Sequence, residues 1–78
     1  MDEIAERIAK DIRKFNENVL LLDEHRLGPK EMEVVRLAKS YSEDAGAWLS
    51  KKEYYNAFAS ISYAHGLLDT LLKLNGDE

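Results

Sequence analysis

The residues best suited to chemistry lie in the stretch YAHGLLD at positions 63–69. His65 and Asp69 are four residues apart, a spacing that puts two side chains on the same side of a helix. With Asp44 from the preceding segment, this pair could bind a ligand or transfer a proton. The alternative is structural, because a buried histidine needs partners for its ring nitrogens. Those partners would be the Asp69 carboxylate, a tyrosine or a backbone carbonyl.

Gly66 follows the histidine directly, and a glycine inside a helix costs about 1 kcal/mol relative to alanine. One explanation is the close approach of a neighbouring backbone, in this chain or in a partner chain. Another is space for a ligand beside His65. We therefore include Gly66 among the positions of the candidate ligand site or polar network.

Catalytic and metal-binding signatures are missing from the sequence. One histidine and two carboxylates could form a facial triad, but a single helix supplies only two of these ligands. The second histidine, His25, lies in a loop segment and is expected to be exposed. The sequence contains no P-loop, nucleophile elbow, zinc-protease or dinucleotide-binding motif. We predict that the protein is not an enzyme and that it uses neither a metal nor a cofactor.

Composition and charge restrict the classes of partner. The net charge of −4 disfavours nonspecific nucleic-acid binding, which requires clustered Lys and Arg. No apolar run approaches the roughly 20 residues that span a bilayer, and the acidic start MDEIAERIAK does not resemble a signal peptide. The lack of cysteine fits a reducing compartment. We expect a cytoplasmic protein that binds neither nucleic acid nor membrane.

Three amphipathic segments must position these residues. The first covers residues 2–22, and its apolar stripe consists of Ile4, Ile8, Ile12, Phe15, Val19 and Leu22. The second covers residues 29–49 and begins at Pro29, after Gly28. Its expected core residues are Val34, Ala38, Tyr41, Ala45, Trp48 and Leu49.

The third segment covers residues 51–74. An S-x-x-E capping box at Ser50 and Glu53 is expected to start it, and Asn75-Gly76 is expected to end it. Its expected core residues are Tyr54, Ala57, Phe58, Ile61, Ala64, His65, Leu68 and Leu72. Helices with such short connections alternate in direction. The sequence therefore predicts an all-α, up-down-up antiparallel three-helix bundle that forms one domain over residues 1–78.

A second apolar stripe lies opposite the expected core of the third helix. Its members are Tyr63, Leu67, Leu71 and Leu74. A helix that is apolar on both faces is usually buried on both. We therefore expect this stripe to contact a second copy of the chain, a fused domain or another protein. Scattered exposed apolar side chains on a small bundle are the alternative.

The second half of the chain, YSEDAGAWLSKKEYYNAFASISYAHGLLDTLLKL, resembles DUF357, a small archaeal family of unknown function. The resemblance covers about residues 38–74, and the first helix matches only in kind. The residues that carry it are Tyr41, Asp44-Ala45, Trp48, Ala57-Phe58 and the stretch Tyr63–Asp69. It implies a compact helical bundle of archaeal, cytoplasmic origin and supplies no activity. It marks Asp44, His65, Gly66 and Asp69 as positions to test.

Two other helical families are less similar. Tetratricopeptide units are shorter than these two helices, and the chain contains no second copy of the pair. The HEPN nucleases use an Arg four to six residues before a His, whereas this chain has Ala59, Ser60 and Ile61 there. The leading hypothesis is a noncatalytic protein-interaction or self-association module, such as a homodimer. The alternative is a small-molecule or metal-binding accessory domain organised by Asp44, His65 and Asp69.

Overall fold

The computed structural model describes residues 2–74, which form three α-helices and one short 3₁₀ turn and contain no strand. Helix α1 spans Glu3–Val19, α2 spans Pro29–Ser50 and α3 spans Tyr54–Leu74, with the 3₁₀ turn at Glu24–Arg26. The helices pack into a bundle of 40 × 20 × 14 Å. The predicted all-α three-helix bundle is confirmed. Among these residues, no helix is both long and apolar enough to cross a membrane.

Contacts between the helices establish their directions. The rings of Tyr41 and Tyr63 meet at 4.6 Å between centroids, and Lys30, at the start of α2, shares a groove with Leu74, at the end of α3. Helices α2 and α3 therefore form an antiparallel hairpin. A second groove joins residues 12–19 of α1 to residues 39–46 of α2. Residues 20–28 connect α1 to α2, and a connection this short reverses the direction of the chain, so the order is up, down, up.

Helix α1 begins as the sequence predicts and ends earlier. The Asp2 carboxylate accepts from the Ile4 N–H at 2.9 Å and caps the helix. Beyond Val19 the chain continues through i→i−3 hydrogen bonds, such as that from the Leu22 N–H to the Val19 carbonyl. This tightening of the final turn is common at helix ends. Leu22 is nevertheless buried in the core.

Helix α2 begins at Pro29, as predicted, because proline at the first helical position loses no hydrogen bond. The preceding N-cap residue is Gly28, whose N–H donates to Glu31 Oε1 at 2.8 Å. This is the half of a capping box that a residue without a side chain can make. The bond occupies one backbone donor at the entrance of the helix.

The predicted capping box at Ser50 and Glu53 is wrong. Ser50 is the last residue of α2, and its hydroxyl donates to the Gly46 carbonyl at 3.1 Å. The chain instead leaves α2 through a Schellman motif: the Lys52 N–H donates to Leu49 and the Glu53 N–H donates to Trp48. Helix α3 therefore starts at Tyr54, three residues later than predicted. Its predicted end at Asn75-Gly76 lies outside the described residues.

The buried residues follow an alternation of three- and four-residue steps on α2 and α3, and steps of seven residues in the first segment. They are Ile8, Phe15, Leu22, Val35, Ala38, Ser42, Ala45, Ala57, Ile61, Ala64, Leu68 and Leu71. The α2 members other than Val35 are small. Together with Ala57 and Ala64 on α3, they let the two helix backbones approach closely, since interaxial distance follows the size of the side chains at the contact.

Several core predictions on α2 and α3 are wrong in the same way: the buried stripe is rotated around the helix. On α2, Val35 is buried and the predicted Val34 is only half-buried, while Trp48 is 36% exposed. On α3, Phe58 is 51% exposed, and Leu71 belongs to the core. At the start of α1, Ile4 is exposed. Periodicity locates an apolar stripe, but the positions of the neighbouring helices decide which part of it is covered.

The turn between α2 and α3 carries a backbone conformation that its sequence does not favour. Lys52 has φ of 63°, in the left-handed region where the backbone of residues other than glycine is strained. We predict that Lys52→Gly raises the free energy of unfolding by about 0.5–1 kcal/mol, measured by urea denaturation. Lys51→Gly is the control, because Lys51 has φ of −90°. An equal gain from both substitutions would attribute the effect to charge.

Candidate functional site

His65 joins α3 to α1. Its Nε2 lies 2.9 Å from the backbone carbonyl oxygen of Asp11, and its ring meets that of Phe15 edge-on, with centroids 5.8 Å apart and planes at 86°. A carbonyl only accepts hydrogen bonds, so Nε2 carries the proton that is shared with Asp11. The ring is half-buried. The structure thus selects the backbone carbonyl from the three partners that the sequence left open.

The two carboxylates of the candidate site do not join His65. Asp69 is exposed, and its carboxylate makes no hydrogen bond or ion pair within residues 2–74. Asp44 is also exposed and lies in a shallow surface groove with Ala47, Trp48 and Lys51. That groove is on the flank of α2 turned away from α1, whereas His65 faces α1. Within the described residues, no three His, Asp or Glu side chains are grouped as metal ligands.

Gly66 has open space around it. A Cβ atom built there meets nothing within 4 Å, and the residue is exposed. The Thr70 hydroxyl donates to the Gly66 carbonyl at 2.9 Å, an ordinary bond to the preceding turn. Neither a close approach inside this chain nor an enclosed space beside His65 accounts for the glycine. The explanations that remain are contact with a partner chain and a glycine without a structural role.

The predicted second stripe of α3 is divided between core and surface. Tyr63 is 52% exposed and Leu74 is 72% exposed, but Leu71 is only 3% exposed and Leu67 is half-buried. The prediction that Leu71 faces outward is wrong, because α2 covers that flank of α3. Leu67 packs against the same core from the side. The exposed part of the second stripe is therefore smaller than the sequence suggests.

Helix α2 supplies the part of this surface that the sequence analysis missed. Leu37 is 45% exposed, and Tyr41 packs edge-on against Tyr63. Together they extend the stripe of α3 across the hairpin. We call the combined surface the hairpin face, and its members are Val34, Leu37, Tyr41, Trp48, Tyr63, Leu67 and Leu74. Three of these residues, Val34, Tyr41 and Trp48, belonged to the expected core stripe of α2. Their position on one flank of α2 is the sequence signal that could have identified this part of the face.

The hairpin face lies on the side of α2 and α3 opposite α1. On α2, the residues that border α1 are Lys39, Ser42, Glu43 and Gly46. At about 100° per residue, Leu37 and Trp48 fall on the other flank. At one end of the face, Val34, Leu67 and Leu74 line an apolar groove of about 280 Å³. Lys30 and Glu31 border this groove.

The sequence matches a family described as "Protein of unknown function (DUF357)" over residues 4–76. The chain belongs to the DUF357 family. The match includes α1, so the family pattern covers more of the chain than the resemblance over residues 38–74. No curated protein matches this DUF357 chain. Since the family description names no activity, a function has to be argued from the surface of the molecule.

His65 of this DUF357 protein is expected to stabilise the bundle independently of Asp69. We predict that His65→Ala lowers the free energy of unfolding by about 1–3 kcal/mol, because it removes a hydrogen bond and an aromatic contact. Urea denaturation at neutral pH measures the change. Asp69→Asn and His25→Ala are controls at exposed residues, where changes within about 0.5 kcal/mol are expected. A loss from Asp69→Asn equal to that from His65→Ala would contradict the assignment.

Gly66 makes the isolated chain less stable than an alanine at the same position would. We predict that Gly66→Ala raises the free energy of unfolding by about 1 kcal/mol, because alanine favours the helix and its Cβ meets no atom within 4 Å. Thermal denaturation of dilute protein checks this. Ala59→Gly, at an exposed position of the same helix, should lower stability by a similar amount. A loss from Gly66→Ala would mean that another group occupies the apparent space.

Proposed function

We propose that this DUF357 protein is a noncatalytic association module that binds protein through the hairpin face. The observation that carries the proposal is the coverage of the α2–α3 hairpin by α1 on one side only. Four large apolar side chains on the other side, Leu37, Trp48, Tyr63 and Leu74, are each more than a third exposed. An exposed apolar patch on a small domain is typical of an interaction site.

The residue types on the hairpin face support binding to protein. Tyrosine and tryptophan are enriched at protein interfaces, where they combine a large apolar area with few rotatable bonds. Tyr41 and Tyr63 are already packed against each other, so binding would cost them little conformational freedom. Lys30 stands at one end of the face, Asp44 lies beside Trp48 toward the other, and both charges can orient a partner.

The position of the groove on the hairpin face supports a helical partner. Val34, Leu67 and Leu74 lie along two antiparallel helices and leave a trough between them. An amphipathic helix can contact such a surface with apolar residues at three- and four-residue steps. Because the hairpin is held by its own core, the face is formed before a partner arrives. Preformed surfaces bind with a smaller entropic cost.

The contacts of His65 support a structural role more than a catalytic one. Its Nε2 bonds to the Asp11 carbonyl and its ring packs on Phe15, so both interactions join α1 to α3. Asp44 and Asp69 lie apart from it, and nothing in their geometry favours the alternative of a ligand-binding domain. We therefore assign the polar residues of this region to the bundle and the association role to the hairpin face.

Site-specific photo-crosslinking tests the proposal. A photoreactive phenylalanine analogue replaces Leu37 in the full chain, expressed in its own organism. We expect one dominant adduct of defined mass. Leu74→Glu in the same chain should reduce the yield of that adduct severalfold, because it puts a charge on the same face. Far-ultraviolet circular dichroism should be unchanged, since both side chains are exposed.

The matched control places the photoreactive residue at Leu20. Leu20 is also an exposed leucine but lies in the connection after α1. We expect no dominant adduct there. Equal labelling from Leu20 and Leu37, or an adduct insensitive to Leu74→Glu, would contradict a role for the hairpin face. Absence of any adduct from Leu37 would contradict the proposed function itself.

A further inference from the structure

The occupant of the hairpin face can be argued from the order of charges along α2. Lys30, Leu37 and Asp44 are spaced by seven residues, or about two helical turns, and therefore share one flank. Leu37 is midway, about 10.5 Å along the axis from each charged residue. Lys30 and Asp44 are both exposed, and neither has an ion-pair partner within residues 2–74. The flank thus carries a positive charge two turns before Leu37 and a negative charge two turns after it, and Lys51 lies beside Asp44 in the groove beyond.

Such a flank is complementary to an inverted copy of itself. A two-fold axis through Leu37 makes two α2 helices antiparallel, and an interface of this kind uses the same patch on both chains. Each Lys30 then lies opposite the other chain's Asp44, so the contact repeats twice. The same register puts Glu33 opposite Tyr41, whose hydroxyl can donate to a carboxylate. A parallel arrangement would instead put Lys30 against Lys30 and Asp44 against Asp44.

Helix α3 extends the same symmetric surface. The contact of Tyr41 with Tyr63 sets the register of the hairpin, so Leu37 lies level with Leu67, four residues away on each helix. Leu67 is therefore near the proposed axis. Tyr63 and Leu74 lie on either side of it and remain exposed in the single chain. The apolar centre and the two charges on either side of it both fit an inverted copy.

We infer that the occupant of the hairpin face is a second copy of this chain, in an antiparallel two-fold dimer centred on Leu37. Two Lys30–Asp44 pairs between the chains fix its register. The inference rests on the proposed function and adds to it the identity of the partner and the geometry of the contact. Exposed charge pairs contribute modestly to affinity, so their main effect is to choose the antiparallel register over the parallel one.

Charge reversal combined with sedimentation velocity tests the dimer. The unmodified chain should be a dimer that dissociates on dilution. Lys30→Asp and Asp44→Lys should each weaken dimerisation about tenfold, because each replaces two attractions by two repulsions. An equal mixture of the two variants should regain affinity as a heterodimer, in which both contacts are again attractive. The double variant should regain it as a homodimer.

Two further variants complete the design. Leu37→Glu should abolish the dimer, because it brings two carboxylates together at the axis. Lys14→Asp, on the exposed side of α1, is the matched control and should leave dimerisation unchanged. All of these positions are exposed, so circular dichroism should report the same helix content for every variant. A difference in sedimentation between variants then results from a change in association and not from unfolding.

The possible results separate the inference from the proposed function. A chain that stays monomeric at millimolar concentration overturns the dimer. If Leu37 then crosslinks to a different protein, the association role of the hairpin face still stands. A dimer that is insensitive to the charge reversals, or is not rescued in the mixture, overturns the antiparallel register. A dimer that survives Leu37→Glu overturns the hairpin face as the contact.

Discussion

The packing of α2 against α3 through small side chains determines how most of the molecule is arranged. Ala38, Ser42 and Ala45 on one helix and Ala57 and Ala64 on the other are all buried, so the two backbones approach closely. A short Schellman turn joins the helices and keeps them antiparallel. This hairpin forms the larger part of the bundle, and α1 completes it from one side. A domain this small has few large core residues, so the close packing of α2 against α3 contributes much of its stability.

Close approach of α2 and α3 also explains where the large side chains lie. A seam of alanine and serine leaves no room for a tryptophan or a tyrosine between the helices, so these rings occupy the flanks. Helix α1 covers one flank with Ile8 and Phe15, which are buried. The other flank keeps Trp48 and Tyr63 partly in solvent. The hairpin face is therefore a consequence of how the core is packed, and association through it would complete the burial that α1 begins.

Docking of α1 uses a polar contact as well as apolar ones. The imidazole of His65 bonds to a backbone carbonyl of α1, which has a second lone pair available beyond its own helical hydrogen bond. The bond helps to fix where α1 lies along α3, because it joins His65 to one particular carbonyl, that of Asp11. The edge-on contact with Phe15 adds an orientation preference for aromatic rings. A histidine that appears suited to catalysis in the sequence thus aligns two helices.

The sequence by itself determined the three helices, their alternating directions and the residue types of both stripes on α3, because helical periodicity and short connections are local properties. It could not determine which flank of each stripe is covered. Leu71 is buried and Trp48 is partly exposed because of where α2, α3 and α1 lie relative to one another. The partner of His65 is a backbone atom of a distant residue, and side-chain spacing on a single helix carries no information about such an atom. Tertiary packing decided these features, since burial depends on neighbours that are remote in the chain.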